Sequence, residues 1–120
     1  MQGGLCAIPL PSLTALGTAF ANDECPALSF AQATLALGRA GDALFAISTS
    51  GNATNVLEAA RVAKGLGMAV VGLTGESGGA LRSACDVCIR VPERETYKVQ
   101  ELHLPVYHAI CAALEEHFFA

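Results

Sequence analysis

Ala43-Leu44-Phe45-Ala46-Ile47-Ser48-Thr49-Ser50-Gly51-Asn52 reads as a buried strand running directly into a hydroxyl-rich turn. Residues 43–47 are apolar without alternation, as a strand covered on both faces should be. Residues 53–66 then make a helix, with Val56, Ala60 and Ala63 along one face and Gly67 as its stop. Met68–Thr74 is the next strand, so strand, crossover helix and strand fit within 43–74, the unit from which parallel sheets are built. Further along, Gly75–Gly79 is a loop, Ala80–Ala84 a short helix, Val87–Val91 a third buried strand and Pro92–Tyr97 a polar loop. Val99–Phe119 is a long C-terminal helix. Upstream, Ser29–Leu37 reads as a helix ended by Gly38, and residues 12–20 carry no decisive pattern. Leu5–Leu10 reads as a short strand ended by Pro9 and Pro11. The expectation is a parallel α/β fold, whose ligands sit beyond the carboxyl ends of the strands. That directs attention to residues 48–54, 74–79 and 92–100.

Composition bounds the answer from outside. A chain of 120 residues makes one domain, residues 1–120, and no internal repeat, linker or low-complexity segment divides it. Hydrophobic residues reach 52% and charged residues only 15%, which excludes a disordered tail and implies surface covered by a partner copy. A formal net charge of -4 argues against direct nucleic-acid binding through a basic surface. Mean hydropathy is +0.45, yet no uninterrupted apolar run is long enough to cross a membrane. Ala19-Phe20-Ala21 looks like a signal-peptidase site, but no Lys or Arg precedes Arg39 and Pro9 and Pro11 interrupt the apolar stretch. A cytoplasmic protein is expected.

Five cysteines is an odd number with no dense framework, so a secreted disulfide scaffold is not expected. Cys85 and Cys88 form a Cys-x-x-Cys pair, but no second pair stands at zinc spacing. A redox pair should also open a helix, whereas these residues lie in a strand-like run. They read as half-buried structural thiols, and Cys6, Cys25 and Cys111 as small apolar fillers.

Ser48-Thr49-Ser50-Gly51-Asn52 sits where a strand turns into a helix. Three successive hydroxyls, a glycine and a helix start make a neutral anion cradle. Backbone N–H groups point outward, the helix dipole adds about half a positive charge, and the hydroxyls donate hydrogen bonds. Gly51 allows close backbone approach. Such a turn suits a phosphate monoester without Lys or Arg; the plainer alternative is an ordinary N-cap. It is neither a Walker loop nor Gly-x-Gly-x-x-Gly.

Together with Gly41-Asp42 before it, Leu73-Thr74-Gly75 and Gln100-Glu101-Leu102-His103, this stretch strongly resembles the SIS (sugar isomerase) domain, and within it the phosphoheptose isomerases. The resemblance runs from about Ala7 onward. It implies a three-layer α/β/α fold around a flavodoxin- or Rossmann-like parallel sheet. It also implies interconversion of sedoheptulose 7-phosphate and glycero-manno-heptose 7-phosphate through a metal-assisted enediol. Ser48, Thr49 and Ser50 match the family's phosphate-binding turn, and Asn22 and Asp23 match an Asn-Asp pair on the sugar. The next family serine falls on Ala53 here. Gln100 and His108 match ligands of a divalent metal, usually zinc, with Gln100 also counted at the substrate and His108 also implicated in proton transfer. Glu101 and His103 are left as supporting residues, and His117 as a surface residue.

The resemblance also implies an N-terminal helix, a Gly-Asn-Gly-Gly-Ser turn and a helix bearing a His and a Glu that complete the metal site and base. This chain opens at Met1-Gln2-Gly3-Gly4, so the expectation is an N-terminally truncated, partial SIS domain supplying at most two of four metal ligands. Gln100 and His108 lie eight residues apart, about 12 Å along one helix. Reaching one ion therefore calls for a kink or restart at Pro105, a Gln100 at the helix start, or ligands from different copies. Family members are tetramers with sites between subunits, and the apolar residues of the last helix, including Ile110, Leu114 and Phe118, fit a subunit interface. The leading reading is a phosphoheptose isomerase. The alternatives are a non-catalytic SIS domain sensing a sugar phosphate, or a protein-binding adaptor like the DnaA initiator-associating protein.

Overall fold

The computed structural model describes residues 3–120; Met1 and Gln2, part of the opening stretch, lie outside them. Three parallel strands form the sheet in the order β1-β2-β3: β1 (Ala43–Ser48), β2 (Ala69–Thr74) and β3 (Val87–Arg90). Register runs from Ala43 opposite Ala69 to Ser48 opposite Thr74, and from Val71 opposite Val87 to Thr74 opposite Arg90. All three strands therefore end level, at one edge of the molecule.

Side chains alternate between the two faces of a strand, which sorts the core. Leu44, Ala46 and Val70 face α3 (Thr54–Gly65) and α4 (Leu81–Ala84), packing with Ala60, Ala63, Met68 and Leu81. Ala60 and Ala63 are completely buried, and their small side chains let α3 lie close on the sheet. Behind α3 packs α2 (Ser29–Leu37), through buried Ala31, Ala33 and Thr34. Gly72 faces the same side and has no room for a side chain, because a Cβ there would stand 2.5 Å from Cys85 Sγ and 3.5 Å from Cys88 Sγ. Both thiols are free and half-buried, and burial together with the neighbouring Cys88 pushes the Cys85 thiol up to about 11. Next to them Asp86 is held by the Lys64 ammonium and accepts from the Val70 amide at 2.7 Å, which lowers its pKa.

The opposite face is covered unevenly. Leu73 is buried there, and α5 (Thr96–Phe119) places buried Val99 and His103 toward the sheet. Phe45, Ile47 and Val87 remain 40%, 47% and 55% exposed. Three layers are present, with the third restricted to the end of β2.

Two elements differ from the sequence expectation by more than a residue or two. Residues 3–9 form no strand, and Leu10–Ser12 is a 3-10 turn with Pro11 inside it, so Leu5–Leu10 is corrected to coil. Its prolines lack the N–H groups that a sheet ladder needs. The last helix begins at Thr96 rather than Val99 and runs unbroken through Pro105. Glu101 and Pro105 are both exposed, so the carbonyl that loses its helical partner is open to water. Residues 14–23 are helical, with a π stretch over Leu16–Phe20 leading into α1 (Ala21–Asp23).

Candidate functional site

Backbone hydrogen bonds stitch together the three loops that follow the strands. Thr49 carbonyl accepts from the Gly75 amide at 3.0 Å, and Gly51 carbonyl from the Leu81 amide at 2.9 Å. Thr74 carbonyl accepts from the Val91 amide at 3.0 Å, and Glu93 carbonyl from the Glu76 amide at 2.9 Å. Asn52 fixes the first loop to the second, its Oδ1 accepting from the Ala80 amide at 2.9 Å while Nδ2 donates to Ser50 carbonyl at 3.2 Å. The loops enclose an open cleft of about 420 Å³ lined by Thr49, Ser50, Asn52, Glu76, Ser77, Glu93 and Arg94.

The turn after β1 is tighter than its sequence suggests. The Gly51 amide donates to Ser48 carbonyl at 3.0 Å and lies 3.1 Å from Ser48 Oγ. The Asn52 amide donates to Ser50 Oγ at 3.1 Å. Two amides expected to face a ligand are thus satisfied inside the turn. The free donors begin one residue later: among the described residues none accepts from the amides of Ala53, Thr54 or Asn55, at the start of α3. The cap residue of α3 is Ala53, with no side-chain hydrogen bond, so these hydroxyls do not act as an ordinary N-cap. Among the described residues Thr49 Oγ1 donates to no group, and Ser50 Oγ retains its own proton after accepting from Asn52. Ser48 is buried beneath the turn, as its support. The arrangement offers two hydroxyls and three helix-start amides to an anion, with no lysine among the lining residues.

Glu76, Ser77, Glu93 and Arg94 were not singled out as site residues from sequence. They lie inside the windows 74–79 and 92–100, and only the parallel pairing of β2 and β3 brings those windows beside the turn. Arg94 Nε donates to Glu76 Oε2 across the cleft mouth.

Other expected site residues are not among this cleft's lining groups. Asn22 and Asp23 occupy α1, where Asn22 Nδ2 donates to Asp23 Oδ1 at 2.9 Å. Gln100 is the fifth residue of α5, and His108 lies two turns further along the same unbroken helix; both are exposed. Eight residues of helix separate them by about 12 Å along the axis, a span closed on one ion only if the two side chains lean toward each other. Among the described residues no group of three or more His, Cys, Asp or Glu could hold a metal. Gln100 and His108 by themselves are two donors, fewer than the three or four that a zinc site holds. His103, one turn after Val99, is 3% exposed and its Nε2 has no hydrogen-bond partner among the described residues.

Comparison with known proteins matches this geometry. Residues 18–115 match the family described as SIS domain. The phosphoheptose isomerase of Mycobacterium bovis (strain BCG / Pasteur 1173P2) is 50% identical over 103 residues, covering 86% of this chain and 53% of that protein. That of Roseiflexus sp. (strain RS-1) is 44% identical over 116 residues, covering 97% of this chain and 59% of that protein. Among solved structures, a phosphoheptose isomerase from Francisella tularensis superposes with a TM-score of 0.92 at 36% identity, covering 96% of this chain and 62% of that one. One from Neisseria gonorrhoeae gives 0.89 at 41% identity, covering 92% and 63%. The chain thus spans little more than half the length of the curated relatives it matches. A parallel sheet whose first strand ends in a hydroxyl turn, and a family match over residues 18–115, lead to one assignment: the chain belongs to the SIS domain family.

Proposed function

We propose that this chain provides the phosphate-binding part of a phosphoheptose isomerase, acting on sedoheptulose 7-phosphate and its aldose isomer. The observation that carries the reading is the cleft at the end of β1, where the hydroxyls of Thr49 and Ser50 stand beside the amides of Ala53, Thr54 and Asn55, which have no acceptor among the described residues. Relatives named phosphoheptose isomerase at 41–50% identity support the choice of substrate. In this reading the phosphate anchors the sugar, and its carbons extend toward Glu76 and Glu93 on the other wall. Ser48 supports the turn from below.

Isomerisation moves a proton between adjacent carbons, so it needs an acid–base group within hydrogen-bond reach. An imidazole is suited to that transfer, and His108 stands exposed on α5. The proposal places it, with Gln100, at a site completed by a second copy. Exposed Leu102, Leu104, Leu114, Phe118 and Phe119 on α5 support such an assembly, with the tetramer as its expected form. A zinc ion held through Gln100 and His108 requires further donors to complete its coordination. Asn22 and Asp23 enter as sugar contacts in the same assembled site. No helix of the described residues is long and apolar enough to cross a membrane. A cytoplasmic setting belongs to the proposal and is supported by five free cysteines.

The test is conversion of sedoheptulose 7-phosphate followed with wild type and Ser50→Ala. The expected result is turnover that falls at least about tenfold in the variant, the loss of one hydrogen bond to a charged group. Equal turnover in both would remove the turn from the site, and absence of turnover together with absence of binding would reject the reading.

A further inference from the structure

The cleft lining carries one cation, Arg94, and two carboxylates, Glu76 and Glu93. Arg94 Nε donates to Glu76 Oε2, bridging the loop after β3 and the loop after β2. The Arg94 side chain is otherwise in solvent, 85% exposed. Ion pairs in that setting contribute little net stability, because water screens them and two flexible side chains must be held in one geometry. The backbone on either side is better fixed. The Glu76 amide donates to Glu93 carbonyl at 2.9 Å, and Glu76 carbonyl accepts from Arg90 Nη1 at 3.1 Å. Both residues are therefore kept at the cleft, while the bond between their side chains is easily exchanged.

A phosphate monoester brings between one and two negative charges near neutral pH. Facing it without Arg94 would be neutral hydroxyls, one side-chain amide and two carboxylates, a lining that repels a dianion. The partial charge at the start of α3 falls short of that demand. A guanidinium fork matches phosphate oxygens in both charge and shape. We infer that Arg94 is an exchangeable clasp, held by Glu76 in the open cleft and transferred to the phosphate when a sugar phosphate enters. Arg94 then selects phosphorylated over free sugars, and Glu76 competes with the ligand for the same guanidinium. This rests on the phosphate-site reading above and adds a cation to it. It also makes an unusual demand: deleting a carboxylate from the site should tighten anion binding by releasing the arginine as well as by removing repulsion.

Calorimetric titration of inorganic phosphate at low ionic strength tests this with wild type, Ser50→Ala, Arg94→Gln, Arg94→Lys, Glu76→Gln and the double variant Glu76→Gln/Arg94→Gln. Arg94→Gln is expected to weaken binding about tenfold, as for a lost charge-assisted pair, and Arg94→Lys to recover part of it. Glu76→Gln should tighten binding about threefold, and that gain should shrink when Arg94 is already Gln. Binding that Ser50→Ala abolishes but Arg94→Gln leaves unchanged overturns the clasp while the phosphate site stands. So does a Glu76→Gln gain of equal size with and without Arg94, which would be repulsion alone. No phosphate binding by wild type overturns both.

Discussion

Gly51 shows how one residue sets the site. Its φ is +68°, and a Cβ built there would stand 2.0 Å from Gly78 carbonyl oxygen, a backbone atom that cannot step aside. Close approach was legible in the sequence, but the approaching group was not: it is the loop after β2, brought in by strand pairing 20 or more residues away in sequence. Gly51→Ala is expected to cost at least about 2 kcal/mol through strain and displacement of that loop. Urea unfolding would measure it, and a midpoint equal to wild type would contradict the account. The hydroxyls Thr49 and Ser50 were likewise readable as site residues, since their chemistry is local. Glu76, Ser77, Glu93 and Arg94 were not, because no local pattern marks a residue whose role arises only where two loops meet.

The elements themselves were mostly legible because each carries its own period or stop signal. β1, β2, β3 and α3 lie within a residue or two of where apolar runs and glycine stops put them. The N-terminal stretch failed that logic: Leu5–Leu10 is apolar enough for a strand, but its prolines leave a ladder without donors. At α5 a restart at Pro105, one of three ways considered to bring Gln100 and His108 together, does not occur, because the missing hydrogen bond falls on an exposed face. Between α3 and β3, Asp86 ties Lys64 to the Val70 amide, and these bonds hold its carboxyl below the ordinary value of 3.8. A depressed folded-state pKa gives stability that is present above the unfolded value and lost as pH falls through the folded one. Asp86→Asn should therefore flatten the acid limb of the stability curve below about pH 4, leaving it unchanged in shape near neutrality. An acid limb as steep as wild type would show that the pair carries no linkage.

At the scale of the whole molecule, the unevenly covered sheet face and the exposed side of α5 decide how the chain behaves in solution. Phe45, Ile47 and Val87 lie on the partly covered face, and Leu114, Phe118 and Phe119 lie along the last turns of α5. Exposed apolar side chains in this number favour association. Light scattering coupled to size exclusion is expected to give a mass well above 12.3 kDa, lowered by Leu114→Glu combined with Phe118→Glu. A monodisperse monomer would remove the assembly from the proposed function and leave Gln100 and His108 without a shared site. The composition, 52% hydrophobic with few charges, already pointed to covered surface, but which faces stay bare depends on the packing of all three layers.

The most direct test of the phosphate site is to follow backbone amide resonances during titration with sedoheptulose 7-phosphate, using the unphosphorylated sugar as control. The amides of Ala53, Thr54 and Asn55 should shift with the phosphorylated sugar alone, while those of Gly51 and Asn52, already bonded within the turn, move less. Equal shifts with both sugars, or none at residues 53–55, would mean that the end of β1 does not receive the phosphate.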